Sequence, residues 1–554
     1  MTGWNYAEVW EAVAEVQPAA PALVQGDRRI DWGQLDRRAD GVARWLLDLG
    51  VAHQDKVALY LYNCPEYLEG IFAATKAGLV PVNTNYRYGD DELAYLWDNA
   101  DAVAVVFHGA FAERVGRVRP RVAAVRGWLW VDDGSGPCPD WATPYEEAAA
   151  CADGRVVPTW GRSPDDLIML YTGGTTGMPK GVMWRQDDLF ARMNGGGFRR
   201  YRDETIEGVR QELVGNGPGG ALLPACPLMH GTGCFTASEC LSEGGRVVLL
   251  EGRRLDPVEL FDAVVREGVN GLVIVGDPFA RPMLAALEEH PDRWDLAPLA
   301  AIVSSGAMWS EPVKRGLLER HPGMVLVDAF SSSEALGMGS SVSAAGAPAE
   351  TAAFVPGPEV QVLGVDGRPV GPGSGEVGVL ALGGRNPIGY YKDEPKTAAT
   401  FKVVDGVRYS MPGDYAQVRS DGSIHLLGRG SVCINTAGEK VFPEEVEEAL
   451  KLHPEVRDAV VVGIPDEWSG EAVVAVVETA GPAGAGGTAD EQALIEHVKG
   501  RLAGYKAPRR VRVVESLGRA PNGKLDYGRH RREAADWAGS PAGGPAGRPA
   551  GPPD

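Results

Sequence analysis

Residues 167–181 read LIMLYTGGTTGMPKG, an apolar run that ends in glycines and threonines followed by Lys180. Glycines let backbone N–H groups approach a phosphate chain, threonine hydroxyls add donors, and the lysine adds positive charge. The segment is not a Walker loop, because Met178 and Pro179 separate Gly177 from the lysine. Taken alone, the pattern fits either a phosphate-binding loop or an ordinary turn.

Short apolar runs alternate with helical patterns on both sides of this segment. The runs that resemble buried strands are 57–62, 102–107, 247–250, 272–275, 301–303 and 324–327. This alternation predicts α/β layers with largely parallel sheets. Several runs end directly in Gly, Ser or Asp, as in LVIVGDP and AIVSSGA. We therefore expect polar loops at the carboxyl edge of a sheet, where α/β folds bind ligands.

The length of the chain and a change in its residue pattern predict two domains. A chain of 554 residues is too long for one hydrophobic core. Near Leu427 the pattern changes to the polar stretch GRGSVCINTAGEK, followed by short strand-like and helical segments. We predict a large domain of layered α/β sheets over residues 1–428, a hinge at 429–432 and a small α+β domain at 433–537. Residues 538–554, rich in Gly and Pro, are predicted to be a disordered tail.

Composition excludes several classes of protein. The net charge of −21 opposes nucleic-acid binding, which needs clustered Lys and Arg. The sequence has no run of about 18 apolar residues, so we predict no transmembrane helix. The first residues carry acidic side chains instead of a basic stretch before an apolar one, so we expect no signal peptide and a cytoplasmic protein. The seven cysteines are scattered without a C-x-x-C pair and are expected to be reduced thiols.

The string YTGGTTGMPKGV resembles the signature of the adenylate-forming superfamily, which includes acyl-CoA synthetases, luciferases and nonribosomal-peptide adenylation domains. Other motifs of that family recur in the same order along nearly the whole chain. The resemblance implies a large N-terminal domain, a small mobile C-terminal domain and ATP-dependent activation of a carboxylic acid. It also implies that the phosphates of ATP meet Thr172, Gly173, Gly174, Thr175, Thr176, Gly177 and Lys180.

The segment DAFSSSEALG stands at the place of the family's aromatic-Gly-x-Thr-Glu motif. The resemblance implies that Phe330 lies against adenine, that Ser333 meets the α-phosphate and that Glu334 holds Mg²⁺ together with Thr172. Asp328, at the start of the segment, is assigned to the nucleotide site in the same way. Serine replaces the more usual threonine at position 333 and keeps a small hydroxyl side chain.

The segment YSMPGDYAQV resembles the family's T-G-D motif, in which Asp414 is expected to accept both ribose hydroxyls. Pro412 occupies a position where threonine is common. Arg429 matches the arginine expected on ribose and phosphate oxygens. Ser431 stands where the family usually has Asp or Lys as the pivot of the small domain, and the resemblance assigns it to the hinge.

The resemblance assigns two later segments to the two half-reactions, one to each. Gly438, Glu439 and Lys440 resemble the turn that flanks the CoA channel during thioester formation. Lys524, in APNGK, matches the lysine of the adenylation step, and the resemblance makes it a catalytic candidate together with Glu334 and Thr172.

The acyl group has its own candidate residues. In PLMHGTGCF, His230 and Gly231 correspond to the family motif at the junction of the acyl tunnel and the nucleotide, and we do not expect His230 to act as a base. Ser305, Gly306 and Ala307 fill the family's adenine-side loop, and Gly306 is also expected to border the acyl group.

Local strings narrow the function further. GGTTGMPKGVMWR, NPIGYYKDEPKTAATF and GRGSVCINTAGEKVFPEEVE resemble bacterial acyl-CoA ligases of fatty acids and steroid side chains. We therefore predict an AMP-forming acyl-CoA synthetase that uses ATP, Mg²⁺ and CoA on a small-molecule carboxylic acid. Two alternatives stay open: transfer of the acyl group to a carrier-protein thiol, and a non-catalytic nucleotide-binding homologue. The sequence does not determine the oligomeric state.

Overall fold

The computed structural model describes residues 3–174, 177–194, 199–347, 351–430, 432–436, 439–466, 469–479, 490–520 and 523–538. The chain divides into two compact units. The large unit contains the described residues up to Leu426 together with Gly523 and Lys524, and the small unit contains the others from Leu427 onward. Among the described residues, no helix combines the length and apolar character needed to span a bilayer. The tail predicted to be disordered lies outside these ranges, apart from Ala538.

Helices of the large unit follow one another along the chain between short strands. They are α1 (Tyr6–Val16), α2 (Trp32–Asp48), α3 (Pro65–Lys76), α4 (Asp90–Asn99), α5 (Ala112–Val118), α6 (Tyr145–Ala149), α7 (Gln186–Asn194), α8 (Ile206–Asn216), α9 (Gly231–Ser242), α10 (Pro257–Glu267), α11 (Asp277–Glu289), α12 (Glu311–Arg320) and α13 (Glu394–Thr400). Short 3₁₀ helices lie at Gly109–Phe111 and Arg119–Arg121.

Strands occupy most of the remaining regular structure. They are β1 (Pro21–Gln25), β2 (Arg28–Asp31), β3 (Lys56–Tyr60), β4 (Val80–Asn83), β5 (Ala102–His108), β6 (Gly127–Val131), β7 (Thr143–Pro144), β8 (Leu167–Gly174), β9 (Gly177–Arg185), β10 (Ala221–Pro224), β11 (Arg246–Leu249), β12 (Gly271–Ile274), β13 (Ala301–Ser304), β14 (Val325–Ser332), β15 (Ala335–Ser343), β16 (Ala353–Pro356), β17 (Val360–Leu363), β18 (Val377–Leu382), β19 (Gly389–Tyr390), β20 (Phe401–Val404), β21 (Val407–Ser410), β22 (Asp414–Val418) and β23 (Ile424–Arg429).

Two sheets hold these strands in the described part of the chain. One has eight strands in the order β19-β9-β8-β4-β3-β5-β6-β7. The other has 15 strands and begins β2-β1-β11-β10-β12-β13-β14-β15. In this sheet order, neighbouring strands from β1 through β11, β10, β12 and β13 to β14 pair parallel, whereas β14 and β15 pair antiparallel. The predicted α/β class is confirmed, and each predicted apolar run overlaps a strand.

Burial explains why the predicted strands are continuous apolar runs. Every residue of β5 and of β12 is buried, because helices cover parallel sheets on both faces. Local sequence sets where the helices begin. Asp31 caps α2 by accepting from the Gln34 N–H at 2.7 Å, and the Gln34 side chain accepts from the Asp31 N–H at 3.1 Å. This reciprocal capping satisfies two amide groups that the first turn would leave unpaired.

The small unit continues with two strands, β24 (Ile434–Thr436) and β25 (Glu439–Val441). The rest of its regular structure is α14 (Pro443–Lys451), β26 (Val456–Asp466), β27 (Gly470–Thr479), α15 (Glu491–Lys499), a 3₁₀ turn (Gly504–Lys506), β28 (Arg510–Val514) and α16 (Tyr527–Ala538). A five-stranded sheet of its described residues packs helices over an apolar core that includes Val446, Leu450 and Leu494. The small unit thus has the α+β character that the sequence predicts.

A buried lysine joins the first three helices of the large unit. The Lys76 side chain on α3 is 0% exposed, and its Nζ lies 2.9 Å from Glu11, 2.7 Å from Asp36 and 2.8 Å from Asp40. Arg162 supplies a second positive charge to Glu11 at 2.7 Å. Removing one partner from a buried ion cluster leaves the other charges uncompensated, which costs about 3–5 kcal/mol.

We expect Lys76→Met to lower the Tm of the large unit by about 5 °C or more. The matched control is Arg315→Met, which removes an exposed ion pair to Glu311 within one helix. Exposed pairs contribute about 0–1 kcal/mol, so the control should barely move the Tm. Differential scanning calorimetry measures both, and equal shifts for the two variants would contradict the assigned role of Lys76.

Candidate functional site

The glycine- and threonine-rich segment forms a β-hairpin. Strands β8 and β9 pair antiparallel, so that Thr172 lies opposite Lys180 and Tyr171 lies opposite Gly181. The predicted phosphate ligands Gly173, Gly174 and Gly177 lie in these strands, whereas Thr175 and Thr176 lie outside the described residues. Thr172 and Lys180, which stand at opposite ends of the motif, are therefore cross-strand neighbours.

Lys180 has a protein partner. Its Nζ forms an ion pair with Oδ2 of Asp393, and the two side chains are 39% and 24% exposed. The hydrogen bond from Lys180 holds the pKa of Asp393 below its usual range, and Asp393 also accepts from the Lys396 N–H at 2.9 Å as the N-cap of α13. An exposed ion pair is weak. A phosphate group could therefore take the lysine from its partner at little cost.

Ser333 and Glu334 form the tight turn between β14 and β15, whose end residues Ser332 and Ala335 pair with each other. Side chains from the other sheet reach this turn. The Trp184 indole on β9 donates to the Ser333 carbonyl at 2.9 Å. The Tyr390 hydroxyl on β19 donates to Oε1 of Glu334 at 2.7 Å.

Pairing within the eight-stranded sheet explains why Tyr390 reaches the turn. Tyr390 lies opposite Val182 of β9, so β19 extends the hairpin sheet by one strand. The hairpin and the carboxylate predicted to hold Mg²⁺ are thus neighbours, held by side chains of β9 and β19.

The segment just before the ribose candidate, Asp414, is linked to the same turn. The Ser410 hydroxyl at the end of β21 donates to the Glu334 carbonyl at 2.6 Å. Asp414 opens β22 four residues later and is only 3% exposed. Gly413 between them has φ +99°, a left-handed conformation that favours glycine. The chain therefore turns sharply just before it presents Asp414.

The adenine-side loop follows β13. Ser304 at the end of β13 lies opposite Asp328 of the parallel β14, so residues 305–307 continue beside the start of DAFSSSE. Gly306 has φ +94°, and a Cβ there would lie 3.7 Å from Oγ1 of Thr232. The Phe330 ring lies 5.4 Å from the Phe354 ring.

Asp328 itself is committed to a buried ion pair. Its Oδ2 lies 3.2 Å from Nζ of Lys314, whose side chain is 1% exposed. The structure thus gives this predicted nucleotide-site residue a partner on α12. Such a pair fixes the strand end beside the adenine-side loop.

Asn83 connects the hairpin to the His230 segment. Its Nδ2 donates to the carbonyls of Tyr171 at 2.9 Å and Met229 at 2.6 Å, and its Oδ1 accepts from the Tyr171 N–H at 2.6 Å. Asn83 is 7% exposed, so these hydrogen bonds are sheltered from water. A Cβ at Gly231 would lie 3.1 Å from Leu170 of β8, which shows how closely the two segments approach.

His230 is the N-cap residue of α9. Burial lowers the pKa of His230 to about 3, so the imidazole is neutral near pH 7. Its Nε2 is buried without a hydrogen-bond partner in the described part of the chain. A neutral histidine agrees with the expectation that it shapes the pocket instead of acting as a base.

The remaining predicted residues belong elsewhere. Arg429 ends β23 with an exposed side chain and Glu439 begins β25, also exposed, both in the small unit. Lys440 lies in β25, but its side chain is outside the description, as are Ser431 and Gly438 altogether. Lys524 groups with the large unit.

Sequence reasoning missed four residues that organise the site, namely Asn83, Trp184, Tyr390 and Asp393. The last two lie inside NPIGYYKDEP, a string that resembles acyl-CoA ligases but contains none of the predicted site residues. Asn83 follows the apolar run LVPV, and an asparagine at the end of a buried strand could have marked a polar site there.

In the described part of the chain, Glu334 does not belong to a metal site built from protein side chains alone. Among the described residues, no group of three or more His, Cys, Asp or Glu side chains could hold a metal ion. Magnesium in phosphate sites needs only one or two carboxylates, with phosphate oxygens and water as its other ligands. The residues present therefore fit a magnesium–nucleotide complex.

Comparison with known proteins agrees with this geometry. Residues 10–391 match the family described as AMP-binding enzyme, and residues 445–524 match the AMP-binding enzyme C-terminal domain. The chain is similar in fold to an anthranilate CoA ligase, AuaEII, in complex with anthranoyl-AMP, with a TM-score of 0.81 at 20% identity over 97% of this chain and 98% of that one.

Two curated relatives are similar over nearly their whole length. The chain is 41% identical to a medium/long-chain-fatty-acid–CoA/3-oxocholest-4-en-26-oate–CoA ligase of Mycolicibacterium smegmatis, covering 94% of this chain and 95% of the relative. It is 40% identical to a 3-oxocholest-4-en-26-oate–CoA ligase of Rhodococcus rhodochrous, covering 94% of each. With its two matched domains and the order of its motifs, the chain belongs to the AMP-binding enzyme family.

Proposed function

We propose that this enzyme is an ATP-dependent, AMP-forming acyl-CoA synthetase. It converts a carboxylic acid, ATP and CoA into acyl-CoA, AMP and pyrophosphate through an acyl-adenylate. The observation that carries the proposal is the identity of 41% and 40% to CoA ligases over 94% of the chain, which extends well beyond a shared nucleotide site. The hairpin and the Ser333–Glu334 turn support it, because Thr172 lies opposite Lys180 and the turn that carries Glu334 is tied to the same sheet by Trp184 and Tyr390.

We propose a hydrophobic acid as the substrate, either a medium- to long-chain fatty acid or a steroid side-chain acid. Both curated relatives carry one or both of these acids in their names. The cytoplasmic location stays a prediction from the sequence.

In the first step, an oxygen of the substrate carboxylate attacks the α-phosphorus of ATP. A new C–O–P linkage forms, the bond from the α-phosphorus to the bridging oxygen breaks, and pyrophosphate leaves. The carboxylate is already ionised, so the step needs no general base. It needs alignment and neutralisation of negative charge, which we assign to the hairpin hydroxyls and N–H groups, Lys180, Ser333 and Lys524.

We propose that Glu334 and Thr172 hold Mg²⁺ with the phosphates of ATP. A carboxylate offers several lone pairs, so Glu334 has capacity left beyond the Tyr390 hydrogen bond. When bound, the ion would neutralise charge on the phosphate oxygens. The hydrogen bond from Tyr390 keeps the Glu334 carboxylate in one orientation for the ion.

The remaining nucleotide contacts follow from the same proposal. Asp414 would accept the ribose hydroxyls, and Arg429 would donate to ribose and phosphate oxygens. Phe330 and residues 305–307 would border adenine. Gly306 has φ +94°, which favours glycine, and its missing side chain leaves room beside a flat ring.

In the second step, the CoA sulfur attacks the carbonyl carbon of the acyl-adenylate. The carbon–sulfur bond forms, the bond from carbon to the AMP oxygen breaks, and the thiol proton passes to solvent. We assign the segment of Gly438, Glu439 and Lys440 to the CoA side and Ser431 to the hinge. His230 and Gly231 would border the acyl group where it meets the nucleotide.

We expect Tyr390→Phe to slow adenylation by roughly 10- to 100-fold, because a lost hydrogen bond to a charged group is worth about 1.5–3 kcal/mol. Acid-dependent exchange of labelled pyrophosphate into ATP measures this rate. Tyr391→Phe is the matched control, since it removes a hydroxyl that donates to Asp101 at 2.6 Å. Similar losses in the two variants would refute a positioning role for Tyr390.

We expect Lys524→Ala to suppress pyrophosphate exchange while sparing CoA-dependent AMP release from supplied acyl-adenylate. Gly438→Phe should do the reverse by obstructing CoA. Lys499→Ala is the lysine control, since this side chain makes an exposed ion pair within α15, and it should change neither half-reaction. Equal loss of both half-reactions in either active-site variant would contradict the division of roles.

The wild-type enzyme separates the proposal from its rivals in the same assay. It should give exchange and CoA-dependent AMP release on fatty or steroid side-chain acids. Exchange without any response to CoA would favour transfer to a carrier-protein thiol. The absence of both reactions on a panel of such acids would indicate a non-catalytic homologue.

A further inference from the structure

Helix α9 presents a polar stripe that begins beside the candidate site. Most of its side chains are buried in the core. Thr232, Thr236 and Glu239 are half-buried and recur at helical spacing, so they share one face. Thr232 lies beside Gly306, the residue assigned to the border of nucleotide and acyl group. The stripe therefore leads away from the reacting carbonyl.

Glu239 lies at the distal end of this stripe. Seven residues of helix separate it from Thr232, a rise of about 10 Å. Together with Tyr6, Phe190, Met193 and other residues, Glu239 lines a cavity between α1, α7 and α9. An acyl group running along the stripe must be about that long before its far end reaches Glu239.

The Glu239 carboxyl is buried, and in the described part of the chain no ion pair accounts for its burial. Its Oε1 is inaccessible and has no hydrogen-bond partner in the described part of the chain. By contrast, the Thr236 hydroxyl is satisfied by donation to the Thr232 carbonyl at 2.6 Å. A buried polar atom without a partner is unfavourable, and functional sites are where such atoms occur.

Burial, and then the nearby charge of Glu243, raise the pKa of Glu239 well above its usual range. Arg199 also lines the cavity, but its guanidinium donates to the carbonyl oxygens of Glu243 and Gly217, each at 2.9 Å. Burial therefore favours the protonated form of the Glu239 carboxyl. In this form it carries an O–H donor.

We propose that Glu239 is a specificity-determining residue that recognises an oxygen substituent, a ketone or a hydroxyl, at the distal end of an otherwise apolar acyl group. This inference rests on the proposed acyl-CoA synthetase function. The steroid side-chain acid with a ring ketone and the fatty acid oxygenated near its methyl end share this chemistry. A site built to hydrogen-bond a substrate oxygen discriminates against the analogue that lacks it.

Two pairs of acids test the proposal. The first is an alkanoic acid and its (ω−1)-oxo analogue of equal chain length, and the second is a 3-oxo steroid side-chain acid and its 3-deoxy analogue. The quantity measured is the ratio of kcat/KM for the oxygenated acid over its plain partner, from CoA-dependent AMP release. We expect the wild-type ratio to favour the oxygenated acid by roughly tenfold or more in at least one pair. The pair that responds identifies the source of the oxygen.

Variants then assign the preference to the side chain. Glu239→Leu should abolish the preference by reducing kcat/KM for the oxygenated acid, while the plain acid is still used. Glu239→Gln keeps a donor and should retain most of the preference. Thr236→Val, on the same face, should leave the ratio unchanged, because its hydroxyl is already used within the helix.

The ratio within one variant does not depend on how much of that protein is correctly folded. An unchanged ratio in Glu239→Leu, or no preference in the wild-type enzyme for either pair, would overturn the proposal. Activity on the plain acids with no preference would leave the synthetase function standing. Absence of AMP formation from every acid would instead count against the function itself.

Discussion

The two hydrogen bonds that reach the Ser333–Glu334 turn are the constraint on which the site depends. Trp184 and Tyr390 come from the eight-stranded sheet, whereas the turn they hold belongs to the 15-stranded sheet. Asn83 adds a further tie between the hairpin and the segment before α9. Groups that are far apart in the sequence therefore converge because hydrogen bonds between sheets hold the strand ends together.

The electrostatics of the site follow from this arrangement. A chain with a net charge of −21 must present local positive charge to bind a triphosphate. Lys180 is held by Asp393 and Lys314 by Asp328, so the large unit offers cations whose positions are fixed by carboxylates. The first pair is partly exposed and the second is buried. Of these two lysines, Lys180 is the one that exchanges its partner for phosphate at low cost.

Much of the fold was predictable from the sequence, because burial on both faces of a parallel sheet produces continuous apolar runs such as LVIV and AVAVVF. The family motifs likewise pointed to Thr172, Glu334 and Asp414. The residues that orient them were not predictable, since Tyr390 and Asn83 act through hydrogen bonds to groups at least 56 positions away. Periodicity and local motifs carry no information about such pairings.

The central claim is that the carboxylic acid is activated by bonding one of its oxygens to the α-phosphorus of ATP. The most direct measurement uses a substrate acid labelled with ¹⁸O in its carboxylate and mass spectrometry of the products in the presence of CoA. An acyl-adenylate route predicts one ¹⁸O atom in AMP and none in pyrophosphate. Unlabelled AMP, or label in phosphate accompanied by ADP, would contradict the account.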